Sequence, residues 1–211
     1  MTYTVKEIYY TLQGEGANTG RPAVLLRFAG CNLWTGRERD RPDAVCRFCD
    51  TDFIGMNGPG GGRFETPEDV ARACIDIWGA QNGAQPLVVL TGGEPMLQVD
   101  EALITAMHAY TFEIAIETNG TLPVPRSIDW ICVSPKADTE LAQTSGDELK
   151  LVYPQAGIEP DDLADLDFKN FLLQPMDGGA RKENTDAALG YCLANPGWSL
   201  SLQTHKFLGL P

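Results

Sequence analysis

Apolar positions along this chain recur in two periods. Short runs of strand-like composition at Ala23 to Phe28, Pro86 to Thr91 and Phe112 to Glu117 read as buried strands. Further strands are predicted at 129–134, 147–152, 168–174 and 198–203. Elsewhere the spacing becomes helical. Thr66 with Asp69 makes a capping-box start, Pro67 suits the first helical position, and Val70, Ala73, Cys74, Ile77 and Trp78 form one apolar stripe. Helices are also predicted over 98–109 and near 184–195. Strands alternating with helices imply a parallel sheet with helices packed outside it. Seven strands with three or four helices are too few for a closed eight-fold barrel. The expected fold is therefore α/β, an incomplete TIM-like parallel barrel in a single domain over 1–211, with its chemistry at the carboxyl ends of the strands.

Composition narrows the class. The 211 residues carry 16 Lys+Arg against 29 Asp+Glu, a net charge of −13, which argues against nucleic acid as the main ligand. The longest apolar runs are strand-sized and the N-terminus has no signal-peptide pattern, so a cytoplasmic protein with no membrane span is expected. The charge is uneven. Residues 1–60 are balanced, whereas residues 137–170 hold nine acids against Lys150 and Lys169. That stretch reads as a solvated surface, with Asp161, Asp162 and Asp165 in the first turns of a helix after Pro160; a calcium site is the alternative. The glycine-rich run Gly55 to Gly62 reads as a flexible loop. No strand leads into it and no Gly-Lys-Ser/Thr follows, so it is not a phosphate cradle.

Six cysteines in a reducing compartment should be free thiols. Cys31 follows the first predicted strand, and after fourteen residues comes Cys46-Arg47-Phe48-Cys49, a C-x2-C pair. Three thiolates on a [4Fe–4S] cluster leave one iron open to a small molecule. Two other readings remain: a redox dithiol, and a zinc site with His205 as fourth ligand. His108 reads as structural, and Cys74, Cys132 and Cys192 read as buried small hydrophobes.

Thr91-Gly92-Gly93-Glu94-Pro95 follows directly on the strand Leu87 to Leu90, where glycines would let a ligand approach the backbone. Read alone, it is an ordinary strand-to-helix turn. Three cysteines after one strand and Gly-Gly-Glu-Pro after the next together resemble the radical S-adenosylmethionine superfamily. The spacing departs from the usual three residues between the first two cysteines, so the insert Asn32 to Val45 would have to loop out. With Tyr9-Tyr10-Thr11-Leu12-Gln13-Gly14-Glu15-Gly16 near the start and His205 to Pro211 at the end, the chain is similar over its whole length to the 7-carboxy-7-deazaguanine synthase family.

That resemblance implies a fold, a reaction and a set of sites. The barrel would be of the radical SAM type with cluster loop 31–49, and Cys31, Cys46 and Cys49 would ligate the [4Fe–4S] cluster. Phe48, Cys49, Asp50, Gly93, Ser134, Pro135, Lys136, Gln174, Pro175, Met176 and Asp177 would hold S-adenosylmethionine, with Glu117 taking its ribose hydroxyls. Thr51 would contribute to a Mg²⁺ site, against the plain reading of a turn hydroxyl. Leu12, Gln13, Gly14, Glu15 and Arg27 would lie near a bicyclic pterin carboxylate, with Thr91, His205 and Pro211 at its amide edge. Arg27 alternates inward in its strand and needs a buried partner: a substrate carboxylate, or Glu7 or Glu15.

The implied reaction converts 6-carboxy-5,6,7,8-tetrahydropterin to 7-carboxy-7-deazaguanine through hydrogen abstraction by a 5′-deoxyadenosyl radical, ring contraction and loss of ammonia. A flavodoxin or ferredoxin would supply electrons, and a homodimer is expected by resemblance; local charge at Arg37, Arg39, Arg41 and Arg47 offers an acidic flavodoxin a docking face, although Glu38, Asp40 and Asp43 interleave with them. Two alternatives stay open: a radical activase acting on a protein glycine, and a zinc-binding interaction module without catalysis.

Overall fold

The computed structural model describes residues 2–79 and 83–210. Within these described residues nine strands form one sheet: β1 (Tyr3–Leu12), β2 (Pro22–Phe28), β3 (Gly62–Phe64), β4 (Leu87–Gly92), β5 (Glu113–Thr118), β6 (Trp130–Val133), β7 (Ser145–Tyr153), β8 (Asp167–Pro175) and β9 (Trp198–Leu200). Their order is β3-β1-β2-β4-β5-β6-β7-β8-β9. The seven expected strands, β2 and β4 to β9, run parallel, while β1 pairs antiparallel with β2 and β3. Among the described residues the two edges of the sheet do not pair, so the barrel is open.

Among the described residues four α-helices accompany the sheet: α1 (Pro67–Trp78), α2 (Glu101–Ala109), α3 (Arg181–Ala194) and α4 (Thr204–Leu208). Thr66 caps α1 by accepting from the Asp69 amide, and Val70, Ala71, Cys74 and Trp78 are buried. Such a cap is worth about 1 kcal/mol. α2 starts at Glu101 rather than 98, because Asp100 caps it and Pro95–Leu97 makes a separate 3-10 turn. The acidic stretch after Pro160 forms one 3-10 turn, Pro160–Leu163, and not a longer helix. Among the described residues no helix is long and apolar enough to cross a membrane.

The period of two along each strand divides the sheet into faces. Val24, Leu26 and Phe28 of β2, Val88 and Leu90 of β4, and Ile114 and Ile116 of β5 join α1 and α2 in the main core. Leu149, Leu151 and Leu173 build a second core with Ala188 of α3 and Trp198. The alternate positions, Leu25 and Arg27, Val89 and Thr91, Glu117, Lys150 and Val152, and Gln174, line a cavity instead. Polar side chains therefore enter the barrel where the sequence places them next to core residues.

Several expectations are corrected. β1 escapes the pattern because a bulge between Val5 and Glu7 shifts its parity, putting Tyr3, Val5 and Ile8 on one face. Lys6 at the bulge is buried and donates to Asp52 Oδ2 (2.8 Å), the Ile54 carbonyl (2.9 Å) and Asn57 Oδ1 (2.9 Å). The glycine-rich run is not a free loop. The Gly58 amide donates to Lys6 O, the Ile8 amide donates to Pro59 O, and a Cβ on Gly61 would strike the Lys6 carbonyl. The acidic stretch is not uniformly solvated. Asp147 and Glu148 are buried, the first accepting from Lys169 Nζ and the second from the Ala17 amide. Cys74 and Cys132 are buried as expected, but Cys192 is only half-buried.

Candidate active site

The insert between Cys31 and Cys46 is not a loose loop. It folds on itself around a small core of Trp34, Ala44 and Phe53, with Cys31 and Cys49 packed against it. Trp34 meets Phe53 edge to face at 5.7 Å. Glu38–Asp43 forms a 3-10 helix, and the Val45 amide returns to Leu33 O. Arg41, counted as a surface charge from sequence, turns inward. It donates to the carbonyls of Arg47 (2.7 Å) and Cys49 (3.1 Å), forks onto Glu38, and stacks on Trp34 at 4.0 Å. It therefore does not belong with the exposed Arg37, Arg39 and Arg47.

The fold brings the three loop thiols to one wall of a cavity of about 480 Å³. That size falls in the roughly 300–1,000 Å³ range of small-molecule sites. A hydrogen bond from Cys46 raises the Cys46 pKa and, despite burial, draws Cys49 down to about 6, while burial raises Cys31. The donor set suits a cluster. Four ligands on one zinc, with Zn–S bonds of about 2.3 Å, would stand roughly 3.8 Å apart. These three sulfurs are not all within 4.8 Å of one another. His205 packs on Gly14 rather than on the thiols. Trp34 Nε1 is buried without a protein partner in the same wall, as a donor waiting for a non-protein acceptor would be.

Gly92 and Gly93 line the cavity and also meet a packing demand. A Cβ on Gly92 (φ +132°) would strike the Phe28 backbone, and one on Gly93 the Gly30 carbonyl beside Cys31. The glycines let the end of β4 press against the start of the cluster loop. Glu94 is wholly buried and holds that corner, accepting from Thr118 Oγ1 (2.8 Å) and the amides of Asn119 (2.8 Å) and Met96 (2.9 Å). Burial raises its pKa against those bonds.

The strand ends supply the rest of the lining. Phe48, Asp50, Thr51, Gly93, Ser134, Lys136 and Gln174 to Asp177 all line the cavity, and Pro135, between two of them, does not. Lys136 Nζ donates to Ser134 Oγ at 2.7 Å, and burial lowers its pKa. Asp50 and Asp177 are bridged by Lys206 at 2.7 and 2.6 Å.

Leu12, Gln13, Gly14, Glu15, Arg27, Thr91 and His205 line the same cavity, and Pro211 lies outside the described residues. Arg27 sits in register with Thr91. Its Nε donates to Glu7 Oε1 (2.8 Å) and its Nη2 to Tyr9 OH (3.1 Å), so its protein partner is Glu7 and not Glu15. A Cβ on Gly14 would fall on the His205 ring.

Sequence reasoning missed the centre of this floor. Lys150 Nζ lies 2.7 Å from Glu15 Oε2 and 2.8 Å from Glu117 Oε2, while Gln13 Nε2 donates to Glu117 Oε1 (3.2 Å) and Gln203 Nε2 to Glu15 Oε1 (3.0 Å). Burial works to raise Glu15, but the Lys150 ammonium and its hydrogen bond hold it down at about 2. Burial wins at Glu117, whose pKa is raised despite Lys150, with Glu148 and Glu15 adding to the rise. Burial opposes the charge on Lys150, yet the surrounding acidic groups raise its pKa well above the usual value. Ligand atoms of Glu117, Cys132 and Glu148 lie within 4.8 Å of one another. The Lys150 ammonium already supplies the cation there, so this is an ion-pair network. A lysine between Leu149 and Leu151 in a buried strand was the available signal.

Comparison with known proteins agrees with this geometry. A family model described as the radical SAM superfamily matches residues 41–137. The 7-carboxy-7-deazaguanine synthases of Caulobacter vibrioides and Burkholderia multivorans are 59% and 60% identical over 211 residues, covering 100% of both chains in each pair. The crystal structure of QueE from Escherichia coli superposes with a TM-score of 0.70 at 28% identity, covering 97% of this chain and 95% of that one. Its thiol loop, open parallel barrel and full-length identity show that the chain belongs to the 7-carboxy-7-deazaguanine synthase family of the radical SAM superfamily.

Proposed function

We propose that this chain is a radical SAM lyase that converts 6-carboxy-5,6,7,8-tetrahydropterin to 7-carboxy-7-deazaguanine with loss of ammonia, in queuosine or related 7-deazapurine biosynthesis. One observation carries the reading. A single cavity joins the three-thiol wall to a floor of Gln13, Glu15, Arg27 and Lys150 suited to a small polar carboxylate. A protein glycine would need an open face, and a zinc module would need no such floor.

Cys31, Cys46 and Cys49 would hold the [4Fe–4S] cluster. Phe48, Cys49, Asp50, Gly93, Ser134, Pro135, Lys136 and Gln174 to Asp177 would hold S-adenosylmethionine. When bound, the two cofactors supply a reductively generated carbon radical able to remove a hydrogen atom. The chain's own residues bind, orient and exclude water. Arg27 has Nη1 free of protein hydrogen bonds among the described residues, which suits a substrate carboxylate. Thr51 at the cavity edge would add a hydroxyl to a Mg²⁺ ion bound to the same carboxylate. Leu12, Gln13 and Gly14 would lie along the bound pterin, and Thr91 and His205, with Pro211, would meet its amide edge. Glu15, kept ionised by Lys150, would accept from its N–H groups. Glu117 stands at the junction, near the cofactor's ribose by expectation and tied to Gln13 and Lys150 by geometry.

The remaining expectations join the proposal. One radical SAM domain spans the chain, and a flavodoxin or ferredoxin docks beside exposed Arg37, Arg39 and Arg47. The protein works in the cytoplasm as a homodimer. Anaerobic reconstitution with iron and sulfide tests the reading. Iron-dependent visible absorption and pterin-stimulated release of 5′-deoxyadenosine are expected. A colourless protein with stoichiometric zinc would sink it.

A further inference from the structure

Apart from a turn at Arg47–Phe48, residues 46–52 have no regular structure, so side chains must fix the paired thiols. Arg41 reaches all three parts of the loop at once. It comes ten residues after Cys31 and five before Cys46. Nη1 donates to both carbonyls around the Cys46–Cys49 pair, Arg47 O and Cys49 O. Nε and Nη2 fork onto Glu38 at 2.8 and 2.6 Å, tying the guanidinium to the 3-10 helix of the insert. Its flat face covers Trp34, three residues after Cys31, and Trp34 rests on Phe53. Only a planar group with donors along its edge can make all these contacts together. The fourteen-residue insert thus carries its own fastener.

We infer that Arg41 is a positioning residue for the cluster: it sets Cys46 and Cys49 at the spacing from Cys31 that an iron–sulfur cluster requires, and Glu38 and Trp34 orient it. The inference rests on Cys31, Cys46 and Cys49 being the cluster ligands. It assigns the enlarged insert a purpose, since a shorter loop has no room for a residue that bridges both flanks. Outer partners of metal ligands typically change metal retention by about 10–100-fold when removed.

The test uses the full-length protein, reconstituted anaerobically, with bleaching of the cluster by an iron chelator as readout. Arg41→Ala should lose its cluster about tenfold faster than the unaltered protein. Its metal-free form should keep the unaltered melting temperature. Arg41→Lys should fall between the two, because an ammonium keeps the charge but cannot fork onto Glu38 while serving two carbonyls. Glu38→Ala should move in the same direction by less, and adding it to Arg41→Ala should bring no further loss. Arg63→Ala, an exposed arginine on β3 paired with Glu65, should leave cluster loss unchanged. Cluster loss in Arg41→Ala equal to that of the unaltered protein overturns the inference and leaves the ligand assignment standing. Failure of the unaltered protein to take up iron overturns both. If Arg41→Ala does not fold, Arg41→Lys decides, and cluster loss equal to that of the unaltered protein there overturns the inference.

Discussion

Replacing Lys150 with methionine keeps the length of the side chain and removes the cation at the centre of the cavity floor. Its side chain is 4% exposed, and the Glu15 and Glu117 carboxylates that it bonds are 19% and 18% exposed. Breaking a buried ion pair from one side costs about 3–5 kcal/mol, because a charge is left without its partner. Here the lower end applies, about 3 kcal/mol at pH 8, since both carboxylates border a solvated cavity and one can take up a proton. In a chain of this size that is a fall of roughly 6–12 °C in melting temperature.

The pH dependence has a definite sign. In the unaltered protein burial opposes ionisation of Glu15, but Lys150 holds its pKa near 2, below the ordinary 4.5. That contribution is present above the ordinary carboxylate range and is lost as pH falls through the folded value, so it is flat from pH 8 to pH 5. Without Lys150, burial alone should raise both carboxylates above their unfolded values. The folded variant then binds a proton more readily than the unfolded chain, and the deficit shrinks as pH falls from 8 towards 5. Denaturant melts of both proteins in the same cofactor state at the two pH values measure this. A deficit below about 1 kcal/mol at pH 8, or an equal deficit at both values, refutes the reasoning.

Three further outcomes are expected. Gly14→Ala places a methyl group on the His205 ring; overpacking of this kind costs about 1–3 kcal/mol, so the melting temperature should fall by roughly 2–12 °C, and steady-state kinetics should show a roughly tenfold higher KM for the pterin. Arg27→Lys loses the planar fork that faces Glu7 and Tyr9, and a charged hydrogen bond of about 1.5–3 kcal/mol predicts a 10–100-fold rise in KM. Gly93→Ala drives a Cβ into the Gly30 carbonyl and displaces Cys31, so iron bound per chain after reconstitution should fall, with strain of about 1–3 kcal/mol.

The parts of this molecule visible in its sequence are those written in short periods. The seven parallel strands announce themselves through apolar runs, and the thiol spacing and Gly-Gly-Glu-Pro sit at strand ends where the cavity opens. What stayed hidden depends on partners far along the chain. Lys150 is stabilised in the sheet by Glu15 and Glu117, 135 and 33 residues away, and counted in sequence only as one charge in an acidic stretch. Arg41 looked like a docking charge because its acceptors are backbone carbonyls, which every sequence has. β1 was obscured by its own bulge, which puts buried Lys6 where alternation would place an exposed residue. Gly92 and Gly93 carry a second demand that no sequence period shows, since a Cβ on either would strike the neighbouring strand end or loop.

The central claim is that one cavity holds both a cluster-bearing wall and a floor that recognises a pterin carboxylate. Mass analysis of an anaerobic reaction containing the reconstituted protein, S-adenosylmethionine, a reductant, Mg²⁺ and 6-carboxy-5,6,7,8-tetrahydropterin tests it most directly. The account predicts 7-carboxy-7-deazaguanine, with one ammonia released per product. Recovery of unchanged pterin from a protein that carries its full cluster and cleaves S-adenosylmethionine would contradict it.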